Sequence, residues 1–184
     1  MISTPDNKAI KKTLRQQIRR LKSTFSLDER DEMSSVVIHH LMDHPKWQSA
    51  RTVLLYHSLP DEVNTHQLIT SALHQGKRVI LPVVVGDALE LRECISIDDL
   101  HEGAFHIFEP DGEPFTDFDA IDLAIIPGVA FTTDGRRLGR GRGYYDRLLK
   151  RNKTVYKIGI CWPFQLLPDI PTEQHDIRLD EVVS

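Results

Sequence analysis

Cysteine is scarce in this sequence of 184 residues, long apolar runs are missing, and positive charge is not in surplus. The two cysteines, Cys94 and Cys161, have no metal-ligand spacing and cannot build a disulfide framework. No apolar stretch approaches the ~18 residues of a membrane span and no signal-peptide pattern opens the chain, which predicts a cytoplasmic protein with no membrane partner. A formal charge of −4 speaks against a general nucleic-acid binder, normally basic overall. Also lacking are a serine elbow, a Cys–His pair, a Walker pattern and a dinucleotide fingerprint, so no covalent nucleophile announces itself. Internal repeats and low-complexity segments are absent.

What is there fits one folded domain over residues 1–184, with 40 % hydrophobic and 27 % charged residues. Charge is unevenly spread. Residues 8–27 hold seven basic side chains and no acid, and residues 136–151 hold seven with one acid, Asp146. Two local basic patches in an acidic chain suggest a small anionic ligand.

Residues 7–25 read as a helix, with Ile10, Leu14, Ile18, Leu21 and Phe25 on one apolar stripe. A basic N-terminus would also suit a mitochondrial transit peptide, but this periodicity fits a folded helix better. Lys11 and Arg15, four apart, can reach one shared phosphate. Ser26 to Glu29 is a capping box opening a second helix to Met42, before Pro45. His39, His40 and His44 cluster near its end; His40 and His44 are spaced like two metal ligands but have no third nearby, and the histidines read as surface residues. Arg51 to His57 reads as a strand ending in a loop that carries Asp61 and Glu62. Asn64 or Thr65 can cap a helix running to Gly76. Lys77–Val85 and Leu89–Cys94 read as strands, Asp98–Gly103 as a helical turn, and Tyr156–Cys161 as a further short strand. The tail from Pro168 reads as irregular, with a final strand at Glu181–Val183. Strands alternating with helices indicate a largely parallel α/β sheet.

The centre of the sequence is Ile121 to Arg151. An apolar run, Ile121–Ile126, is followed by Pro127-Gly128 and then by Gly139, Gly141 and Gly143 with Arg140 and Arg142 between them. Strand, glycine-rich loop and helix start give the geometry of a phosphate cradle, because backbone N–H groups crowd round an anion only where side chains are absent. Arg136, Arg137, Arg140 and Arg142 add forked donors suited to phosphate oxygens. Asp146 follows within a turn, a position that suits a Mg²⁺ ligand beside bound phosphates as well as a helix-start acid, and Asp176 can supply a second carboxylate. Tyr144 and Tyr145 can stack on a flat ligand or pack.

The stretch PGVAFTTDGRRLGRGRGYYDRLL, with KKTLR near the start, SLPDEVNT in the middle and QHDIRLDEVV at the end, resembles the 5-formyltetrahydrofolate cyclo-ligase family across nearly the whole chain. The resemblance implies a three-layer α/β fold with a largely parallel central sheet, shared with sugar-phosphate isomerases and CoA transferases. It implies an ATP- and Mg²⁺-dependent ligase, in which the formyl oxygen of 5-formyltetrahydrofolate takes the γ-phosphate and N10 closes the ring to 5,10-methenyltetrahydrofolate. ATP would be contacted by Lys11, Lys12, Thr13, Leu14 and Arg15, and by Arg137, Leu138, Gly139, Arg140, Gly141, Arg142, Gly143, Tyr144 and Tyr145. The folate would meet His57, Glu62 and the Arg140–Tyr144 stretch; Arg140, Arg142 and Tyr144 would be catalytic, and Asp146 and Asp176 would hold Mg²⁺. The expected partners are two small molecules acting on a monomeric chain. Position 57 is often apolar in relatives, and Trp162 stands in a segment that departs from the family pattern. A non-catalytic nucleotide- or folate-binding module and a sugar-phosphate isomerase-like enzyme are the competing readings. The first need not keep both metal carboxylates; the second needs a general base and no Mg²⁺ pair.

Overall fold

The structure, a computed structural model, describes residues 6–151 and 154–184. Its first half runs α1 (Asn7–Lys22), α2 (Leu27–Asp43), α3 (Pro45–Ser49), β1 (Thr52–Leu54), α4 (His66–His74), β2 (Arg78–Val85), β3 (Ala88–Cys94) and β4 (Leu100–Glu102). The second runs β5 (Phe108–Pro110), β6 (Leu123–Ile126), β7 (Ala130–Phe131), β8 (Arg137–Leu138), α5 (Tyr144–Leu149), β9 (Tyr156–Ile160) and β10 (Glu181–Val183). Six strands form the central sheet in the order β10-β9-β6-β1-β2-β3. Every neighbouring pair is parallel except β2 with β3, an antiparallel hairpin through Gly86. The three-layer α/β fold with a largely parallel sheet is therefore present.

Alternation along the strands divides the core. Val53, Leu123, Ile125 and Ile158 point to the face covered by Val37 and Leu41 of α2, Trp47 of α3 and Leu68 and Ile69 of α4. Leu54, Ala124 and Ile126 point to the opposite face, under Leu148 and Leu149 of α5 and Phe131 of β7. Both faces are covered, which is why the central strands read as continuous apolar runs. The Ser26–Glu29 capping box forms as expected.

Several boundaries differ from the sequence reading. The strand expected over Arg51–His57 is regular only over Thr52–Leu54. Beyond it Leu55 N still bonds Ile80 O, but Tyr56 O is taken by the Thr65 hydroxyl at 2.5 Å and Ser58 N also donates to Thr65 Oγ1, so a side chain replaces the ladder. Thr65 is therefore occupied elsewhere, and Asn64 Oδ1 accepts the His66 amide at the start of α4. Pro45 opens α3, with His44 accepting from Lys46 N. His39 and His40 are exposed, as expected of surface residues, whereas His44 is half-buried against Glu181. The helical turn expected over Asp98–Gly103 shrinks to Ile97–Asp99, and Leu100–Glu102 instead pairs with β5. Helix α1 stops at Lys22, with Phe25 beyond it stacked on Phe164, and the face it buries is Lys11, Ile18 and Lys22; Leu21 is exposed.

Candidate active site

The chain leaves β1 and turns away to one side, and returns through β6 on the other. A crevice at the carboxyl ends of two such strands is where open α/β sheets bind ligands. Here a cleft of about 550 Å³ opens at that place, between Tyr56 and His57 after β1 and Pro127 and Gly128 after β6.

The glycine loop forms one wall. The sequence reading missed a small hairpin here: β7 and β8 pair antiparallel, so that Arg137–Leu138 enter the wall as strand and the loop proper begins at Gly139. Gly141 has φ +104°, outside the range of ordinary L residues, and a Cβ added there would stand 3.6 Å from the guanidinium of Arg15. The Arg15 Nε donates to Gly139 O at 2.8 Å, which ties α1 to this loop. Gly143 stands at the N-cap of α5, a helix of 6 residues.

The second wall comes from α1 and the tail. Lys11 Nζ lies 2.6 Å from Asp176 Oδ2 and 3.0 Å from Glu173 Oε2. Burial opposes the charge of Lys11, but the bonds from Asp176 and Glu173 outweigh it and raise its pKa; burial likewise opposes the Asp176 charge, and Lys11 holds that carboxyl below its ordinary value. Asp146 Oδ1 accepts from Arg137 Nη2 at 2.8 Å and from the Ile177 amide at 3.2 Å, so the two acids are carried on adjoining segments. Among the described residues, Oδ2 of Asp146 and Oδ1 of Asp176 have no hydrogen bond. Glu173, His175 and Asp176 are the cluster whose ligand atoms lie within 4.8 Å of one another; Asp146 is outside it. Hard carboxylate oxygens with spare lone pairs, next to a basic loop, fit Mg²⁺ shared with phosphates.

The third wall is the Ser58–Val63 loop. Arg140 reaches across from the glycine loop, with Nη2 2.5 Å from Asp61 Oδ1 and 2.9 Å from Glu62 Oε1. Burial opposes its charge, and Glu62 and Asp61 more than restore it. Opposite, Arg142 lies over the Phe105 ring at 4.5 Å. Phe105 and His106 both have positive φ, 61° and 60°, a costly backbone for such residues.

The cleft thus gathers Lys11, Arg15, His57, Glu62, Arg137 to Tyr145, Asp146 and Asp176. Three expected ATP contacts lie off it. Lys12 is exposed, the Thr13 hydroxyl bonds Ala9 O, and Leu14 packs beside Ile18 and Ala130. Arg136 also turns away, to Asp134 and Asp169. Tyr145 packs, its phenol pKa raised by burial and by Glu62, while Tyr144 Oη bonds Gly86 O at 3.2 Å. Trp162 is 1 % exposed and donates to Ser34 Oγ, so it packs behind the site. Phe105, Glu173 and His175 were not foreseen. Phe105 reaches the cleft through an irregular loop that no periodicity marks, whereas Glu173 and His175 were legible as neighbours of Asp176.

Fold and cleft together define an α/β enzyme whose cleft is built round an arginine-rich glycine loop. The sequence profile of the 5-formyltetrahydrofolate cyclo-ligase family matches residues 7–184, and the chain belongs to that family. It is 30 % identical to the mouse (Mus musculus) 5-formyltetrahydrofolate cyclo-ligase, over 94 % of this chain and 92 % of that protein. It is 33 % identical to the protein of the same name from Escherichia coli (strain K12), over 91 % and 96 %. Among solved structures, the Aquifex aeolicus 5,10-methenyltetrahydrofolate synthetase superposes with a TM-score of 0.84 at 36 % identity, covering 95 % of this chain and 89 % of the other.

Proposed function

We propose that this chain closes the ring of 5-formyltetrahydrofolate to 5,10-methenyltetrahydrofolate at the expense of ATP, through a phosphorylated formyl intermediate. As a member of its family it is a ligase of folate one-carbon metabolism. The observation that carries the residue assignments is the convergence on one cleft of four cations, Lys11, Arg15, Arg140 and Arg142, with Glu62, Asp146 and Asp176.

An amide oxygen is a poor leaving group, and phosphorylation makes it a good one. The formyl oxygen forms a bond to the γ-phosphorus as the bond to the β-phosphate oxygen breaks and ADP leaves. N10 then attacks the activated carbon and loses its proton, and the C–O bond breaks to release phosphate. Such a transfer asks the protein for positioning and charge neutralisation more than for covalent chemistry. Lys11, Arg15, Arg140 and Arg142 supply donors to the phosphates, with the glycine loop letting them approach; Arg140, Arg142 and Tyr144 stand where the two substrates meet. Glu62 accepts from the folate, at the amino-pterin edge or near N10, and His57 borders it. Mg²⁺ held by Asp146 and Asp176 would neutralise charge on the phosphates. The two cysteines are unpaired thiols, buried, with Cys161 pushed up to about 12 by burial, which suits a reducing cytoplasm. We take the working unit to be one chain.

Mixing the protein with 5-formyltetrahydrofolate and ATP–Mg²⁺ should develop the absorbance band of methenyl-folate; a folded, metal-supplied sample with no such signal removes the reading. The Arg142→Ala variant should bind ATP about ten- to a hundredfold more weakly, the size of a lost charge-assisted contact.

A further inference from the structure

Helix α1 buries a cation that the chemistry above does not use. Lys22 is 6 % exposed. It follows Arg15 by seven residues and Lys11 by eleven, so the three share one stripe of the helix. At ~1.5 Å rise per residue, Lys22 stands about 16 Å from Lys11 along the axis, behind the Ser58–Val63 loop and outside the lining of the cleft.

There it meets the Ser58–Val63 loop. Its Nζ donates to the main-chain oxygen of Asp61, lies 3.4 Å from Asp61 Oδ2, and sits 5.6 Å from the centre of the Trp162 ring. Asp61 Oδ1 in turn takes Arg140 Nη2, Arg140 Nε donates to Glu62 Oε1 at 3.0 Å, and Glu62 Oε2 accepts the Leu59 amide at 3.0 Å. Positive and negative groups alternate from Lys22 through Asp61 and Arg140 to Glu62. Burial is costly for Lys22: it drives the ammonium pKa down, and Asp61 offsets this only in part. An apolar side chain against Trp162 would pack at lower cost, since replacing a buried ion pair by apolar groups is often neutral or stabilising. A lysine here therefore points to position and not to stability.

We propose that Lys22 and Asp61 are positioning residues for the folate side of the site: Lys22 fixes the main chain and carboxylate of Asp61, and Asp61 fixes the Arg140 fork, so that Glu62 is presented at a set place. The inference rests on the reading of Glu62 as the folate contact. Helix α1 then acts as a strut, holding the phosphate wall through Lys11 and Arg15 and the folate wall through Lys22.

The test separates the two substrates. In Lys22→Met the KM for 5-formyltetrahydrofolate should rise about tenfold, the equivalent of one charge-assisted hydrogen bond, and the KM for ATP by a clearly smaller factor, because Arg140 also serves the phosphates. Lys22→Arg, which keeps the donor, should recover most of that loss. A folded Lys22→Met with an unmoved folate KM overturns the proposal, as does an equal rise in both KM values that Arg does not rescue. Should Lys22→Met fail to fold, Asp61→Asn, whose side chain is 47 % exposed, is read the same way. Glu62→Gln serves as the control. If it leaves the folate KM unchanged, the reading of Glu62 falls; if it raises that KM while Lys22→Met does not, only the positioning role falls.

Discussion

His57 stacks on His66 with ring centroids 3.9 Å apart and reaches Phe108 at 5.3 Å. Burial first, and then the neighbouring imidazole, push its pKa from 6.5 down to about 4. Between those values the unfolded chain binds a proton that the folded chain refuses, so stability falls as the pH drops from 6.5 towards about 4. The site carboxylates act in another window. Asp61 and Asp176 are held below 3.8, so their contribution is complete above that value and is lost only as the pH falls through their lower folded pKa values. His57→Gln should therefore lessen the drop in urea midpoint between about pH 7 and about pH 5; an unchanged drop would locate the proton uptake elsewhere. The sequence marks His57 by its place at the end of a strand, yet its partner His66 is nine residues away on another element, and nothing short of the folded loop brings the two rings together.

At the scale of elements, the central strands, α2 and the capping box were legible because apolar alternation and local cap chemistry decide them. The face of α1 was not. Its apolar spacing nominated Leu21 for the interior, but Lys11 and Lys22 turn inward to carboxylates and Leu21 is left 40 % exposed. A hydrophobic stripe reports burial only when the surface beneath is apolar. The β7–β8 hairpin was hidden for a different reason: two residues per strand leave no period to read. What fixes that hairpin to the tail is Gly135, at φ +88°, where an added Cβ would stand 2.2 Å from the main-chain oxygen of Leu179. The Leu179 amide meanwhile bonds Gly135 O at 2.8 Å. Gly135→Ala should cost about 1–3 kcal/mol, read as a lower denaturant midpoint with the slope retained. A midpoint equal to that of the unaltered protein would show that the tail gives way freely here.

For the molecule as a whole, ligand and fold are linked through the cleft. A nucleotide that binds only the folded chain adds about 2.7 kcal/mol at a hundred times its Kd, which for a chain of this size raises Tm by roughly 5–10 °C. A non-hydrolysable ATP analogue with Mg²⁺ should show that shift, and Asp146→Asn should need more Mg²⁺ to reach it. A wild-type Mg²⁺ titration in the variant would reject Asp146 as a metal ligand. On the proposed reading the analogue would draw on both ends of the chain, because Lys11 is joined to Asp176 across 165 positions of sequence. That contact has a consequence for synthesis. While residue 176 is still inside the ribosome, the emerged chain carries Lys11 with no partner and a binding surface that lacks one side. The cleft can be completed only once the tail, which also lays β10 along the edge of the sheet, has emerged and docked.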